Sequence, residues 1–457
     1  MGLRSVLAAA AALAAVSACV AAPADAVETG VNETFAQTVP TANKAGRLGA
    51  DWVRMWVSWE QMQPARGAYQ QNVLDDFRAA VDALEARGVK VLAVVQRSPG
   101  WASAGRGGMA PPEDPAAFGA FMGGMAARVP AVDAWEIWNE PDEGEFFIGA
   151  PDPARYAAML RAAYPAIKAV QPGDAVVSGG LVGNNMDFLS QLYDQGAGGS
   201  FDAVAVHTDT ACLTRGPDRY YRDERGRIGR YTFSAYREVH AVMADHGDGA
   251  KPIWLTEIGW SAKSTRRGSC SKGTYAGRKR LGVTPRRQAR FLTAAYRCTA
   301  ADPFVGPVFW FGMQDIPAAG HAGGYGLFRR GGKAKPAARA FRRLDLGIRP
   351  RRCGGIVDRS PPTIRVLKPA DGLRFSRRLT VKVRAADNGG TGIGRIGLDA
   401  DGKHVRSWGT ATGSIAPWWA TEKWRLGPHT LTFSVRDRAQ NPASVTVRVF
   451  KVRKSSR

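Results

Sequence analysis

The sequence predicts an α/β fold, a (β/α)₈ or TIM barrel, followed by a small all-β sandwich. Three observations predict it. From about Val27 to Leu346, short β-branched or aromatic runs alternate with amphipathic Ala-rich runs, the pattern of parallel strands joined by crossover helices. Eight strand–helix pairs in about 320 residues is the size of such a barrel with long loops. Beyond a Pro/Gly-rich stretch, the periodicity changes to short alternating runs separated by turn signals, as in a sandwich.

The eight barrel strands are expected at Glu28–Val31, Trp52–Trp56, Val89–Gln96, Ala134–Trp138, Ala175–Gly179, Ala203–His207, Pro252–Thr256 and Pro307–Phe311. Helices are expected between them, for example Val73–Arg87, Pro153–Val170 and Pro285–Thr299, with Pro336–Leu344 closing the barrel. An open doubly wound sheet is the alternative, but it usually carries a Gly-rich phosphate turn after its first strand, and none is present. Residues 347–360 form a linker. Five strands follow within 361–457, at Thr363–Leu367, Leu379–Ala385, Ile396–Asp399, Thr430–Val435 and Ser444–Val452.

Residues 1–26 have the pattern of an export signal: Arg4, an uncharged run from Ser5 to Ala24, and the small-x-small site Ala24-Asp25-Ala26. A secreted protein is the expectation. Val16-Ser17-Ala18-Cys19 also resembles a lipobox, so a lipoprotein anchored through Cys19 is the alternative. Four further cysteines suit an oxidising compartment. Cys212 and Cys270 follow strands six and seven on one face of the barrel. Cys298 ends a helix that runs back to the opposite face, and Cys353 follows the last helix. Because a disulfide needs Cα atoms within about 7 Å, the predicted pairs are Cys212–Cys270 and Cys298–Cys353. No CxxC pattern is present and only six histidines occur, so no metal or other cofactor is expected.

The net charge is +23, and residues 358–457 hold 20 lysines and arginines against 7 acidic residues. No nucleic-acid motif accompanies the charge. An anionic cell wall or acidic polysaccharide is the expected partner of the basic tail, and the chain is expected to be a monomer.

Two strand ends carry the chemistry. Trp138-Asn139-Glu140-Pro141 closes strand four, and Thr256-Glu257-Ile258-Gly259-Trp260 closes strand seven. C-terminal strand ends form the active face of a barrel. A carboxylate among aromatic residues costs free energy that folding alone does not require. Cleavage of a glycoside uses two such carboxyls, one on each side of the bond.

These segments resemble the clan A glycoside hydrolases, family 39 first and family 5 second. Val53-Arg54-Met55-Trp56, Ser98-Pro99-Gly100-Trp101-Ala102, Phe309-Trp310 and Gly324-Tyr325-Gly326-Leu327 resemble other landmarks of those families. The resemblance implies a retaining hydrolase of an O-glycosidic bond in a polysaccharide or oligosaccharide, with Glu140 as acid/base and Glu257 as nucleophile. It implies that Asn139 binds a sugar hydroxyl and that Arg54 holds Glu257 ionised, with Glu136 as a competing partner for Arg54. His207 would orient the carboxylates and Trp310 would form a floor under the sugar, with Trp101 and Trp260 as further sugar contacts. Glu33, Asp142, Glu143, Glu145, Asp209 and Asp315 are other carboxylates of the same loops. One departure is that His207-Thr208-Asp209 stands where many members carry His-x-Tyr, leaving Tyr220, Tyr221 or Tyr231 as candidates for the missing tyrosine. A transglycosylase would use the same residues, and a non-catalytic glycan-binding protein would keep the fold without needing the pair. The tail resembles bacterial Ig-like modules through Pro361-Pro362-Thr363-Ile364, Asp401-Gly402-Lys403 and Gly427-Pro428-His429. Its Trp408, Trp418, Trp419 and Trp424 suit either sugar binding or core packing.

Overall fold

A computed structural model describes residues 27–33, 39–149, 151–208, 215–263, 282–317, 321–344, 347–387, 391–421 and 423–454. Its first part is a sheet of nine parallel segments: β1 (Thr29–Asn32), β2 (Trp52–Ser58), β3 (Lys90–Gln96), β4 (Ala134–Ile137), β5 (Ala175–Ser178), β6 (Leu181–Val182), β7 (Val204–His207), β8 (Ile253–Ile258) and β9 (Val305–Trp310). β1 pairs with both β2 and β9. β5 pairs with β4, and β6 pairs with β7. A parallel bridge from Val177 to Ala203 joins β5 to the start of β7. β5 and β6 are therefore one barrel strand in two pieces, and the sheet closes as eight strands.

The break falls at Gly179-Gly180, where the predicted strand Ala175–Gly179 ends, and β6 is the unexpected piece beyond it. Gly179 N–H donates to the Tyr156 hydroxyl at 2.5 Å, and Gly180 N–H donates to Glu136 Oε1 at 3.0 Å. A Cβ on Gly180 would overlap the His207 ring. The strand gives up its ladder here to make room for that ring, and only glycine permits the approach.

Helices α1 (Val39–Gly46), α2 (Trp59–Met62), α3 (Gln71–Glu85), α4 (Pro115–Arg128), α5 (Pro153–Lys168), α6 (Met186–Asp194), α7 (Tyr236–Asp245), α8 (Pro285–Thr299) and α9 (Pro336–Arg342) accompany the strands. Three of them start alike. Asp114, Asp152 and Thr284 accept from first-turn N–H groups, and each is followed by proline, whose fixed φ suits the first helical position. Odd-numbered residues of β2 and β3, such as Val53, Met55, Val91 and Ala93, pack outward against this helical layer. Even-numbered ones face the lumen, where Trp52, Leu92, Ala134, Trp254 and Phe309 form an apolar plug. The alternation is the period of a strand.

Cys298 and Cys353 form the predicted disulfide, with Cα atoms 5.4 Å apart. Arg237 donates to the carbonyls of Cys353, Gly354 and Gly355, so the start of the linker is bound to the barrel wall. Cys19, Cys212, Cys270 and the leader lie outside the described residues.

The C-terminal part has a three-stranded sheet, β10 (Thr363–Lys368), β12 (Arg378–Ala386) and β15 (Thr412–Ala420). A five-stranded sheet comprises β11 (Leu373–Phe375), β17 (Pro442–Lys451), β16 (Gly427–Asp437), β13 (Ile393–Ala400) and β14 (Lys403–Trp408). Leu379, Val381, Val383, Ile396, Leu398, Phe433 and Val449 form the shared core. Trp408, Trp419 and Trp424 pack against it, and Trp424 meets Trp419 at 4.9 Å. Three of the four tryptophans therefore serve packing; the Trp418 side chain lies outside the described residues.

Candidate active site

Above the apolar plug the lumen turns polar. Arg54, entirely buried, uses all five of its N–H donors. Nε and Nη2 donate to the two Glu136 oxygens at 2.6 and 3.2 Å, and Nη2 also donates to Asn139 Oδ1 at 2.9 Å. Nη1 donates to Asn32 Oδ1 at 2.8 Å and to Glu257 Oε1 at 2.7 Å. Glu136, equally buried, accepts in addition from Gly180 N–H and the Thr256 hydroxyl. The Asn32 amide in turn donates to the Thr256 carbonyl at 2.8 Å. A buried ion pair is tolerable when its remaining hydrogen-bond capacity is filled, and here it is.

The next level toward the C-terminal strand ends holds the two predicted carboxylates. Strand order ends at Ile137, and Trp138 (φ 68°) and Glu140 (φ 46°) take left-handed backbone, costing about 1–3 kcal/mol each. This turn brings Asn139 and Glu140 into the lumen. On β8 the pairing to β7 slips between Val206 and His207, so that His207 stands opposite Glu257. Thr256 already faces the lumen, and the slip turns Glu257 inward as well, the usual effect of a bulge.

Glu140 Oε1 lies 2.7 Å from His207 Nδ1, and Glu257 Oε1 lies 3.7 Å from His207 Nε2. Donor atoms of Glu140, His207 and Glu257 lie within 4.8 Å of one another. Each carboxylate side chain is 16% exposed, enough for a ligand to reach it. Burial pushes the Glu257 carboxyl above its ordinary value. His207 and Arg54 pull it down, while Glu140 and Glu136 push it up. Arg54 thus favours the ionised form of Glu257, as expected, and works against the larger effect of burial. Burial also lowers the His207 pKa, against the pull of Glu257, Glu136 and Asp142, and Arg54 adds to the lowering. Among the described residues Arg54 hydrogen-bonds Glu257, His207 lies 3.7 Å from it, and no tyrosine is hydrogen-bonded to it.

A cavity of about 710 Å³ opens over the pair, lined among others by Glu33, Trp56, Ser58, Gln96, Met109, Phe146 and Phe311 with Asn139, Glu140 and Glu257. The predicted aromatic contacts are largely elsewhere. Trp310 is completely buried, donates its indole N–H to the Tyr325 carbonyl at 2.9 Å and packs on Trp260. Trp260 is 1% exposed and bonded to the Arg215 carbonyl. Neither ring offers a face to a sugar. The reason is parity: Phe309 and Phe311 face the lumen, so Trp310 between them faces the helices. Trp101 is half-buried with its N–H on the Gln63 carbonyl and Arg66 over its ring. Trp56, Phe146 and Phe311 are the aromatic cavity residues that sequence reasoning missed; the same period-two count finds Trp56 and Phe311, while Phe146 lies on the loop after β4. Asp142 anchors Val182 N–H and Asn185, and Asp315 pairs with Lys335 at 2.6 Å. Asp209 lies outside the described residues.

Among the described residues three groups gather possible cation ligands; in Asp218, Cys298 and Cys353 the sulfurs are tied up in the disulfide, which leaves two. One is Glu140, His207 and Glu257; the other is Asp358, Asp387 and Asp437 beside the sandwich. The second is already bonded internally by Thr391, Gly392 and Asn441.

Residues 22–208 match the family model described as cellulase (glycosyl hydrolase family 5). That stretch includes Arg54, Asn139, Glu140 and His207; Glu257 lies beyond it. No curated protein matches the chain. Among solved structures, a family 39 glycoside hydrolase from the gut symbiont Bacteroides cellulosilyticus WH2 is 19% identical, with 85% of this chain and 79% of that one covered and a TM-score of 0.54. The barrel shares its fold with that glycoside hydrolase. GH5_18 from Streptomyces cattleya in complex with GlcNAc is likewise 19% identical, covering 77% of this chain and 84% of that one at a TM-score of 0.54. At these identities the glycoside hydrolase barrel is shared as a fold, while the residues inside it have to be argued from their own geometry.

Proposed function

We propose that the chain is a secreted retaining glycoside hydrolase acting on O-glycosidic bonds of a polysaccharide or oligosaccharide, with Glu140 as acid/base and Glu257 as nucleophile. The observation that carries this is the short separation of the two carboxylates, with oxygens within 4.8 Å. Retaining pairs stand about 5–5.5 Å apart, whereas inverting pairs leave about 6.5–9.5 Å for a water.

In the first step Glu257 attacks the anomeric carbon while Glu140 gives its proton to the departing oxygen. The sugar is then held as an ester on Glu257. In the second step Glu140, now a carboxylate, takes a proton from water, and the water oxygen displaces Glu257 with net retention. In this reading His207 is neutral in the starting state, in keeping with its burial-lowered pKa. With Nδ1 as acceptor it receives the Glu140 proton's hydrogen bond and turns Nε2–H toward Glu257. Asn139, its carbonyl taken by Arg54, presents its NH₂ to a sugar hydroxyl.

The leader supports export. The cross-strand pairs Arg365–Arg384 and Lys368–Lys382 support attraction of the tail to an anionic polymer, since like charges in register repel unless a counter-charge lies over them.

The roles separate in two variants assayed on aryl glycosides. Glu140→Ala retains slow turnover of substrates with good leaving groups, and azide accelerates it to give a glycosyl azide of retained configuration. Glu257→Gly loses turnover, and any azide product has inverted configuration. Inverted product from the Glu140 variant would exchange or abolish the assignment.

A further inference from the structure

The polar atoms at the tips of β2 and β3 have no role in the two-step chemistry. Gln96 is 8% exposed, yet its Oε1 is buried without any hydrogen-bond partner. The Ser58 hydroxyl and the Trp56 indole N–H are buried and unpartnered as well. All three residues line the cavity that holds Asn139, Glu140 and Glu257. Ser58 and Gln96 are direct neighbours in the parallel register of β2 and β3, and even numbering turns both into the lumen, above Arg54. Leaving one such group dry costs about 1–3 kcal/mol. Three on one wall mark a surface built for a hydrogen-bonding ligand.

The chemistry of the wall narrows that ligand. An amide carbonyl accepts, an indole N–H donates, and a serine hydroxyl does either. Arg97, next in sequence, has its charge taken up by Glu60 at 2.5 Å. The groups left at these strand tips are neutral and suit uncharged hydroxyls better than a carboxylate. Resting on the glycosidase reading above, we infer that Gln96, with Ser58 and Trp56, binds hydroxyl groups of a neutral sugar seated against Glu140 and Glu257, and so determines which sugar the enzyme accepts.

The test couples each side chain to each hydroxyl. Wild type, Gln96→Met and Ser58→Ala are assayed on 4-nitrophenyl glucoside, mannoside, galactoside and xyloside, and on monodeoxy analogues of the best of them. In wild type, removing one particular hydroxyl lowers kcat/KM by about 10- to 100-fold, the range of one buried hydrogen bond. In Gln96→Met the same deletion changes kcat/KM by less than about threefold, because the partner is already gone. Ser58→Ala keeps the test open if Gln96→Met does not fold, and circular dichroism reports folding in both. Equal discrimination by wild type and both variants overturns the assignment while leaving the glycosidase reading intact. Wild type that turns over none of these glycosides, nor any polysaccharide, overturns that reading and this inference with it.

Discussion

The barrel lumen changes character between two adjacent levels. At the lower one, Arg54, Glu136, Asn32 and Thr256 are out of contact with solvent, and Arg54 has spent every donor on them and their neighbours. At the upper one, the Trp56 N–H, the Ser58 hydroxyl, Gln96 Oε1 and His207 Nε2 have no hydrogen-bond partner. The same fold and the same strands supply both. The difference teaches how a barrel divides labour: the saturated level is a rigid base that aims side chains, and the unsaturated level is where a ligand completes the bonding. Asn139 and Glu257 touch both, each held by Arg54 on one side and open to the cavity on the other.

Breaking the base should have the largest effect on stability. Arg54→Met leaves Glu136 buried without its cation and is expected to cost about 3–5 kcal/mol, measured by urea unfolding; adding Glu136→Gln should recover part of the loss. Glu257→Gln belongs to the other level. Its raised carboxyl pKa means that stability falls as pH rises through the raised value, because the folded state releases the proton later than the unfolded one. Removing that charge should therefore leave the stability at pH 7 unchanged or higher while turnover disappears. If Glu257→Gln destabilises as much as Arg54→Met, the two levels are one structural unit and the division fails.

A control far from both levels is the Cys298–Cys353 bond, which closes a separation of 55 residues. Cys353→Ser is expected to lower stability by about 2–4 kcal/mol with kcat/KM retained, since the bond braces the closing helices and linker rather than the lumen. A parallel fall in kcat/KM at a temperature where the variant is folded would tie the bottom of the barrel to the active face.

The smallest expected effect is on pH dependence. Glu257 has to be ionised to attack, and burial outweighs Arg54 in setting its pKa. The acid limb of kcat/KM should therefore lie above the ordinary glutamate range, about 4.3. A limb at about pH 3.5 would mean that Arg54 dominates after all.

Much of this was legible in the sequence where a residue's role follows from its place on a strand. Glu140 and Glu257 stand at strand ends, and the Cys298–Cys353 pairing followed from which face each element reaches. The misplaced residues share a physical cause. Trp310 and Trp260 were weighed by chemistry alone, although Phe309 and Phe311 occupy the lumen parity and leave Trp310 to the helices. Gln96 and Trp56 share parity with Arg54 and were recoverable by the same count. The slip that turns Glu257 inward and the break at Gly179-Gly180 are different: they depend on neighbours distant in sequence, His207 and Glu136, and no local pattern encodes them. In the sandwich, β11, β14 and β15 escaped because their alternation is short or interrupted, as by Pro417 within Thr412–Ala420.

The central claim is that Glu257 becomes covalently bonded to the sugar. A 2-deoxy-2-fluoro glycoside with a good leaving group, built on the sugar the enzyme prefers, slows release of the intermediate and lets it accumulate. Peptide mass spectrometry of the inactivated enzyme should find the fluorosugar on the peptide containing Glu257, with reactivation on adding an acceptor. A label on Glu140 or Glu136, or hydrolysis with inverted configuration and no label at all, would contradict the account.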